Sequence, residues 1–523
     1  MNFLDYAIII AYLAGLLGLG YFLRRQEGRE AYFLGDRQLG WRALTLSVMA
    51  TQLSAISFVS APAFVGLREG GGLKWLSYEL AVPLAMLILM GAVLPALHRS
   101  GVVSVYDFLE RRFARSTRLM LSFVFQLSRS FATAIMIYAL SIILQGTIGL
   151  DFWASVTLVG VSTVIYSLQG GMKAVVLGDA IQMSIIIFGA VLCIVFGLHA
   201  LGGIDIFLAN IDKSRLTAID FSSFGFSGDA FGFWPMLFGG LVLYASYYGC
   251  DQTEAQRSLS AANEKDLKSI LLANGLIRFP ITLIYCTAGL VIGTLAMITP
   301  EFMEQIPKDK PDWMMPVFIV NYLPNGVIGL MVVAILAAAM SSLSSAINSL
   351  SAVSVEDYVR ITGKTLSMTA YMNHAKIGAI IWGIITLTLS FFAGSIAPTV
   401  IEAINLVGSV FYGPILALFL LAVMSRFLTA FHANTGLLAG VSANIFTHFF
   451  LENVFWFWYN AIGFIVAIIT AFTCSLIFKR KPKPKQIAHD RHVSIVKPRD
   501  VVLLVGAFAI MLAVGLGLNA LAT

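Results

Sequence analysis

Fourteen stretches of mostly apolar residues follow one another along this chain, near 3–23, 42–66, 75–98, 117–147, 152–171, 178–201, 232–252, 268–298, 315–353, 373–393, 398–425, 429–450, 455–478 and 501–521. Each reaches the length of about 20 residues that crosses the hydrocarbon core of a bilayer. Lipid offers a backbone no hydrogen-bond partners, so segments of this kind must be helices. The expectation is an all-α, polytopic membrane protein with about 14 transmembrane helices. Over 523 residues, 58% hydrophobic and 12% charged excludes a soluble core of the same size.

The net charge of +6 does not point to nucleic acid, because the basic residues are dealt out by loop. Loop 24–42 carries Arg24, Arg25, Arg29, Arg37 and Arg42, and loop 99–118 carries Arg99, Arg111, Arg112, Arg115 and Arg118. Loop 479–499 is equally basic, whereas the alternating loops 202–231 and 299–314 are net acidic. The positive-inside rule puts the basic loops in the cytoplasm of a cell membrane and both termini outside. Met1-Asn-Phe-Leu-Asp-Tyr6 has no basic lead-in, so the first segment reads as a spanning helix and not a cleaved signal. Cys193, Cys250, Cys286 and Cys474 lie in apolar segments without CxxC spacing and read as packing residues. Gly363-Lys-Thr365 lacks the glycine that opens a phosphate loop, and the scattered histidines form no HExxH, so no enzyme site is expected. The chain reads as one transmembrane domain with no evident protein partner.

Within the ninth segment, Ala338, Ser341, Ser342 and Ser345 lie at i, i+3, i+4 and i+7 of a helix, with Ser344 at the edge of the stripe. Such a stripe faces either a tightly packed helix or a cation that takes oxygen ligands. The second segment carries Thr45, Ser47, Thr51, Gln52, Ser54, Ser57 and Ser60. That density suits a helix that unwinds midway beside a watery cavity, or a continuous helix whose hydroxyls bond back to its own carbonyls. Glu79 and Arg129 are ionisable groups inside spans, functional by default unless they sit at the interface. Asp179 opens the sixth helix and serves either its N-terminus or a cation. The glycines and hydroxyls of the seventh segment suit a second discontinuous helix, with Tyr244, Tyr247 and Tyr248 as stacking surfaces or interface anchors. Arg278 lies in the eighth segment, and Asn405 precedes the weak points Gly408 and Gly413-Pro414 in the eleventh.

Tyr247-Tyr-Gly-Cys-Asp-Gln-x-x-Ala-Gln-Arg257, Gly170-Gly-Met-Lys173 and Ala338-x-x-Ser-Ser-x-Ser-Ser-x-x-Asn-Ser349, in this order, resemble the sodium:solute symporter family, and its sodium–sugar branch in having fourteen spans. The resemblance implies an inverted five-helix repeat, segments 2–6 (42–201) and 7–11 (232–425), between a leading helix (1–24) and peripheral helices (429–523). Substrate and ions would bind near the midplane at the broken helices. It implies a main Na+ site of the Ala50, Leu53 and Ala338 carbonyls with the Ser341 and Ser342 hydroxyls. A second would come from Asp179, Ser344 and Ser345, giving two Na+ per cycle. The solute pocket maps onto Ser57, Glu79, Tyr247, Arg278 and Asn405, with Ser54, Tyr244 and Arg129 as further candidates. The implied activity is sodium-coupled import of a small polar solute, a sugar or sugar-like compound first. A carboxylate such as a sialic acid or a monocarboxylate is the alternative, because Ser57 leaves room and Arg278 suits an acid. A sodium-dependent sensor or channel on the same scaffold is the rival, and the lack of an appended signalling domain favours transport.

Overall fold

The computed structural model describes residues 1–22, 34–53, 55–102, 104–167, 172–480 and 494–522. Ser54 and the glycines of Gly170-Gly-Met-Lys173 lie outside the described residues, as do the side chains of Ala338, Ser341 and Ser344.

Every expected segment forms a helix. The order is α1 (Phe3–Phe22), α2 (Trp41–Gln52), α3 (Ala55–Gly66), α4 (Leu73–Arg99), α5 (Arg115–Ile148), α6 (Phe152–Ser167) and α7 (Met172–Leu201). Then come α8 (Phe233–Cys250), α9 (Gln252–Leu259), α10 (Glu264–Ile298), α11 (Met314–Tyr322), α12 (Val327–Thr362) and α13 (Met368–Ser390). The chain finishes with α14 (Val400–Met424), α15 (Ala430–Phe450), α16 (Trp458–Ile477) and α17 (Pro498–Ala522). Eight helices among the described residues are each long and apolar enough to cross a membrane, and the bent pair α2–α3 makes a ninth span.

Two segments break, and both open an expected repeat. The second is bent by 52° between α2 and α3, after Leu53 leaves helical geometry at φ −94, ψ 64. The break thus falls beyond Ala50, and Pro62 sits harmlessly inside α3. The seventh breaks at Asp251, whose extended backbone ends α8 while its side chain accepts from Thr253 N to cap α9. Other expectations need correction. Segment 315–353 is two helices, because Leu323 is extended and Gly326 takes φ +88 between α11 and α12. Gly408 and Gly413-Pro414 do not interrupt α14. Asp179 does not open its helix, since Met172-Lys-Ala-Val-Val-Leu are tolerated ahead of it and α7 begins at Met172.

Tight crossings hold the breaks in place. Gly66 of α3 meets Gly289 and Gly293 of α10 so closely that a Cβ on Gly293 would lie 2.5 Å from the Gly66 Cα. Small residues four apart allow this approach, as they commonly do between membrane helices. The second break is held against α2 and α12, both of which α9 packs on.

Candidate functional site

The first break, at Thr51, Gln52 and Leu53, lines a constricted cavity of about 80 Å³ that reaches Tyr244 and Tyr247 in the last turns of α8. Ser57, Glu79, Arg129, Tyr244, Tyr247, Arg278 and Asn405 all line it, from six different spans. Residues far apart in the chain are therefore brought to one place, as the contact between Tyr78 and Asn405, 327 positions apart, illustrates.

On one wall, Arg278 of α10 is locked to Glu79 of α4. Arg278 Nε donates to Glu79 Oε2 at 2.7 Å, Nη1 donates to Gln52 at 2.6 Å and to Tyr248 at 3.2 Å, and Nη2 donates to Tyr244 at 2.9 Å. Tyr244 in turn donates to Glu79 Oε1 at 2.9 Å, so both carboxylate oxygens are engaged. Glu79 is 1% exposed, which removes the interfacial alternative. Tyr78 stacks on Tyr244 with centroids 4.3 Å apart and donates to Asn405 Oδ1 at 3.5 Å. Ser57 Oγ reaches back across the first break to the Gln52 carbonyl at 3.4 Å.

On the opposite wall, Arg129 of α5 donates Nη2 to Asp251 at the second break at 2.5 Å. Its guanidinium carbon lies 5.9 Å from the ring centroids of both Phe125 and Tyr247, and Tyr247 faces Tyr412 at 5.5 Å. Arg129 is buried and belongs to the cavity, so end-snorkelling does not describe it.

The ion candidates are placed differently. α2 ends at Gln52, which puts the Ala50 carbonyl in a last turn whose intrahelical partners run out and Leu53 just past it. The hydroxyl stripe lies on α12, which packs against α3 and α7. Ser342 is buried there, and Ser345 Oγ is buried with no hydrogen-bond partner. Asp179 of α7 meets Arg257 Nη2 at 3.0 Å and the Ser47 hydroxyl at 2.5 Å. Arg257 therefore bonds the carboxylate that the resemblance assigns to a second ion.

Sequence reasoning named Gln52 and Tyr248 without the bonds they take from Arg278, and passed over Asp251, Glu254 and Arg257. The last three were quoted only as a motif, and ending the seventh span at residue 252 hid Glu254 and Arg257 as buried charges. Counting ionisable residues to the end of the motif would have found them.

The sodium:solute symporter family model matches residues 32–440. The human sodium/iodide cotransporter is 29% identical over 450 residues, covering 84% of this chain and 68% of that one. Bovine sodium-coupled monocarboxylate transporter 2 is 28% identical over 444 residues, covering 84% and 71%. A substrate-bound, outward-open structure of a Na+-coupled sialic acid symporter superposes with a TM-score of 0.81 at 25% identity, covering 92% of this chain and 99% of that one.

Proposed function

The chain belongs to the sodium:solute symporter family, and from that premise we propose that the solute it moves with Na+ is a small organic anion whose carboxylate is held by Arg129. The observation that carries this reading is the contrast between the two cavity arginines. Arg278 spends its donors on Glu79, Gln52, Tyr244 and Tyr248, while Arg129 commits one strong hydrogen bond to Asp251. An incoming carboxylate can join Arg129 without first displacing Glu79. Tyr247 and Tyr412 supply flat surfaces beside it, and Asn405 and Ser57 supply hydrogen bonds to hydroxyls. Relatives described as monocarboxylate and sialic acid transporters support an anionic solute. A neutral sugar is the second reading, favoured by the closed Glu79–Arg278 pair, which leaves that wall without net charge.

The principal Na+ site in this proposal joins the Ala50, Leu53 and Ala338 carbonyls to the Ser341 and Ser342 hydroxyls, with the basic loops in the cytoplasm and both termini outside. The repeat boundaries 42–201 and 232–425 belong to the same reading.

Na+-driven uptake into proteoliposomes, competed with a carboxylic acid and its neutral amide, tests the solute. Arg129→Gln is expected to weaken the acid by about 2–5 kcal/mol and to spare the amide, because it removes one side of a buried charge pair. Equal loss for both, or competition by neutral sugars alone, overturns the anion assignment. Ser342→Ala is expected to lower Na+ affinity without disturbing the helix, since Ala is the better helix former. Unchanged Na+ dependence would mean that the hydroxyl stripe only packs.

A further inference from the structure

Glu254 sits in the first turn of α9, 1% exposed, and both its carboxylate oxygens lack a hydrogen-bond partner. An Asp-x-x-Glu arrangement at a helix start ordinarily returns the glutamate to the capping residue's N–H. Here that N–H, of Asp251, donates to the Ser246 carbonyl at 3.2 Å, so no capping box uses the side chain. One turn on, the Ser258 hydroxyl is also buried without a partner, and it shares the face of Glu254 at i+4. Thr253 Oγ1 is in the same condition.

Three arginines act electrostatically on Glu254, namely Arg257, Arg129 and Arg278. Each already holds another carboxylate: Arg257 holds Asp179, Arg129 holds Asp251 and Arg278 holds Glu79. None of them bonds Glu254, so its charge, when ionised, has no direct partner. The helix N-terminus offsets only a fraction of a full charge. A buried carboxylate left in this state takes up either a proton or a cation.

We propose that Glu254, with the Ser258 hydroxyl, binds a Na+ ion on the cytoplasmic side of the solute cavity, and that this ion is the second one carried. Carboxylate and hydroxyl oxygens are the hard donors that such an ion takes. α9 packs on α2 and α12, the helices that carry the first break and the hydroxyl stripe. While Arg257 occupies Asp179, the Asp179–Ser344–Ser345 position has no uncompensated charge to offer, and Glu254 does. This inference rests on sodium coupling but not on the identity of the solute.

The test is equilibrium binding of radioactive sodium to purified wild-type, Glu254→Gln, Asp179→Asn and Ser342→Ala proteins, with thermal unfolding measured in and out of Na+. The expected result is one bound ion fewer in Glu254→Gln, while the ion that depends on Ser342 remains. Without Na+ the same variant is expected to unfold at a higher temperature than wild type, because the uncompensated charge is gone. Equal ion counts in wild type and Glu254→Gln, with an ion still lost in Ser342→Ala, overturn the Glu254 site and leave the symporter reading standing. Loss of the second ion in Asp179→Asn alone overturns it in favour of Asp179. A protonated Glu254, seen as an infrared carboxyl band absent from Glu254→Gln and indifferent to Na+, overturns it as well.

Discussion

Glu79 and Arg278 show what burial does to a charged pair. Both side chains are nearly inaccessible, and the Nε to Oε2 distance is 2.7 Å. Such a pair adds little net stability over an apolar substitute, but breaking it strands a charge at a cost of about 3–5 kcal/mol. Glu79→Gln is therefore expected to lower the unfolding temperature sharply, and Glu79→Gln combined with Arg278→Gln to recover part of the loss. A double-mutant cycle on purified protein checks this, and strictly additive losses would contradict a direct pair. Both residues were legible as buried ionisable groups from position alone. Their pairing was not, because it spans 199 residues and depends on how α4 meets α10.

At the scale of elements, the two breaks matter more than any single ligand. α2 stops at Gln52 and α8 at Cys250, so backbone polar groups at the cavity lose their helical partners and become available to solute and ions. The second half of the first broken span, α3, is pinned by glycine contacts, with the Gly289 Cβ position 2.6 Å from the Pro62 carbonyl oxygen. Gly293→Ala would drive a methyl into the Gly66 backbone, which neither helix can yield without shifting. The expected cost is about 1–3 kcal/mol, read as a lower unfolding temperature and slower Na+-driven uptake. Unchanged stability in this variant would show that α3 moves freely on α10. The broken character of both segments was visible in their hydroxyls and glycines. The position of the first break was not, since it falls after Leu53 and no proline marks it.

Across the whole molecule, ion pairs outside the cavity join helix ends and loops that strict alternation puts on the same side. Arg99 pairs with Glu264 and Arg118 with Asp107 and Asp357 at one end, while Arg68 pairs with Glu402 and Lys74 with Asp220 at the other. Stoichiometry decides what such a machine can do with an anion. One Na+ falling through about 100 mV and a tenfold gradient releases about 3.7 kcal/mol, of which a monovalent anion entering against the same voltage takes back about 2.3. The remaining 1.4 kcal/mol or so supports roughly tenfold accumulation, whereas two ions leave about 5.1 kcal/mol and support several thousandfold. With two Na+ per anion, uptake carries one net positive charge inward and is expected to rise with an inside-negative voltage in proteoliposomes. Voltage-independent uptake of an anion would mean a single ion.

The amino-acid order by itself determined that the chain is a helical membrane protein. Apolar runs of spanning length leave no other way to satisfy the backbone in lipid. It also marked the interrupted helices and most of the cavity's polar residues, because a buried charge or a hydroxyl stripe is conspicuous in an apolar span. Partnership was decided only by the tertiary structure. Arg278 is committed to Glu79 and Arg257 to Asp179, Arg129 gives Asp251 a single hydrogen bond, and Glu254 is left with none. Which buried charge meets which depends on helix crossings set by close contacts such as Gly66 with Gly293, and side chains hundreds of residues apart carry no local sign of them.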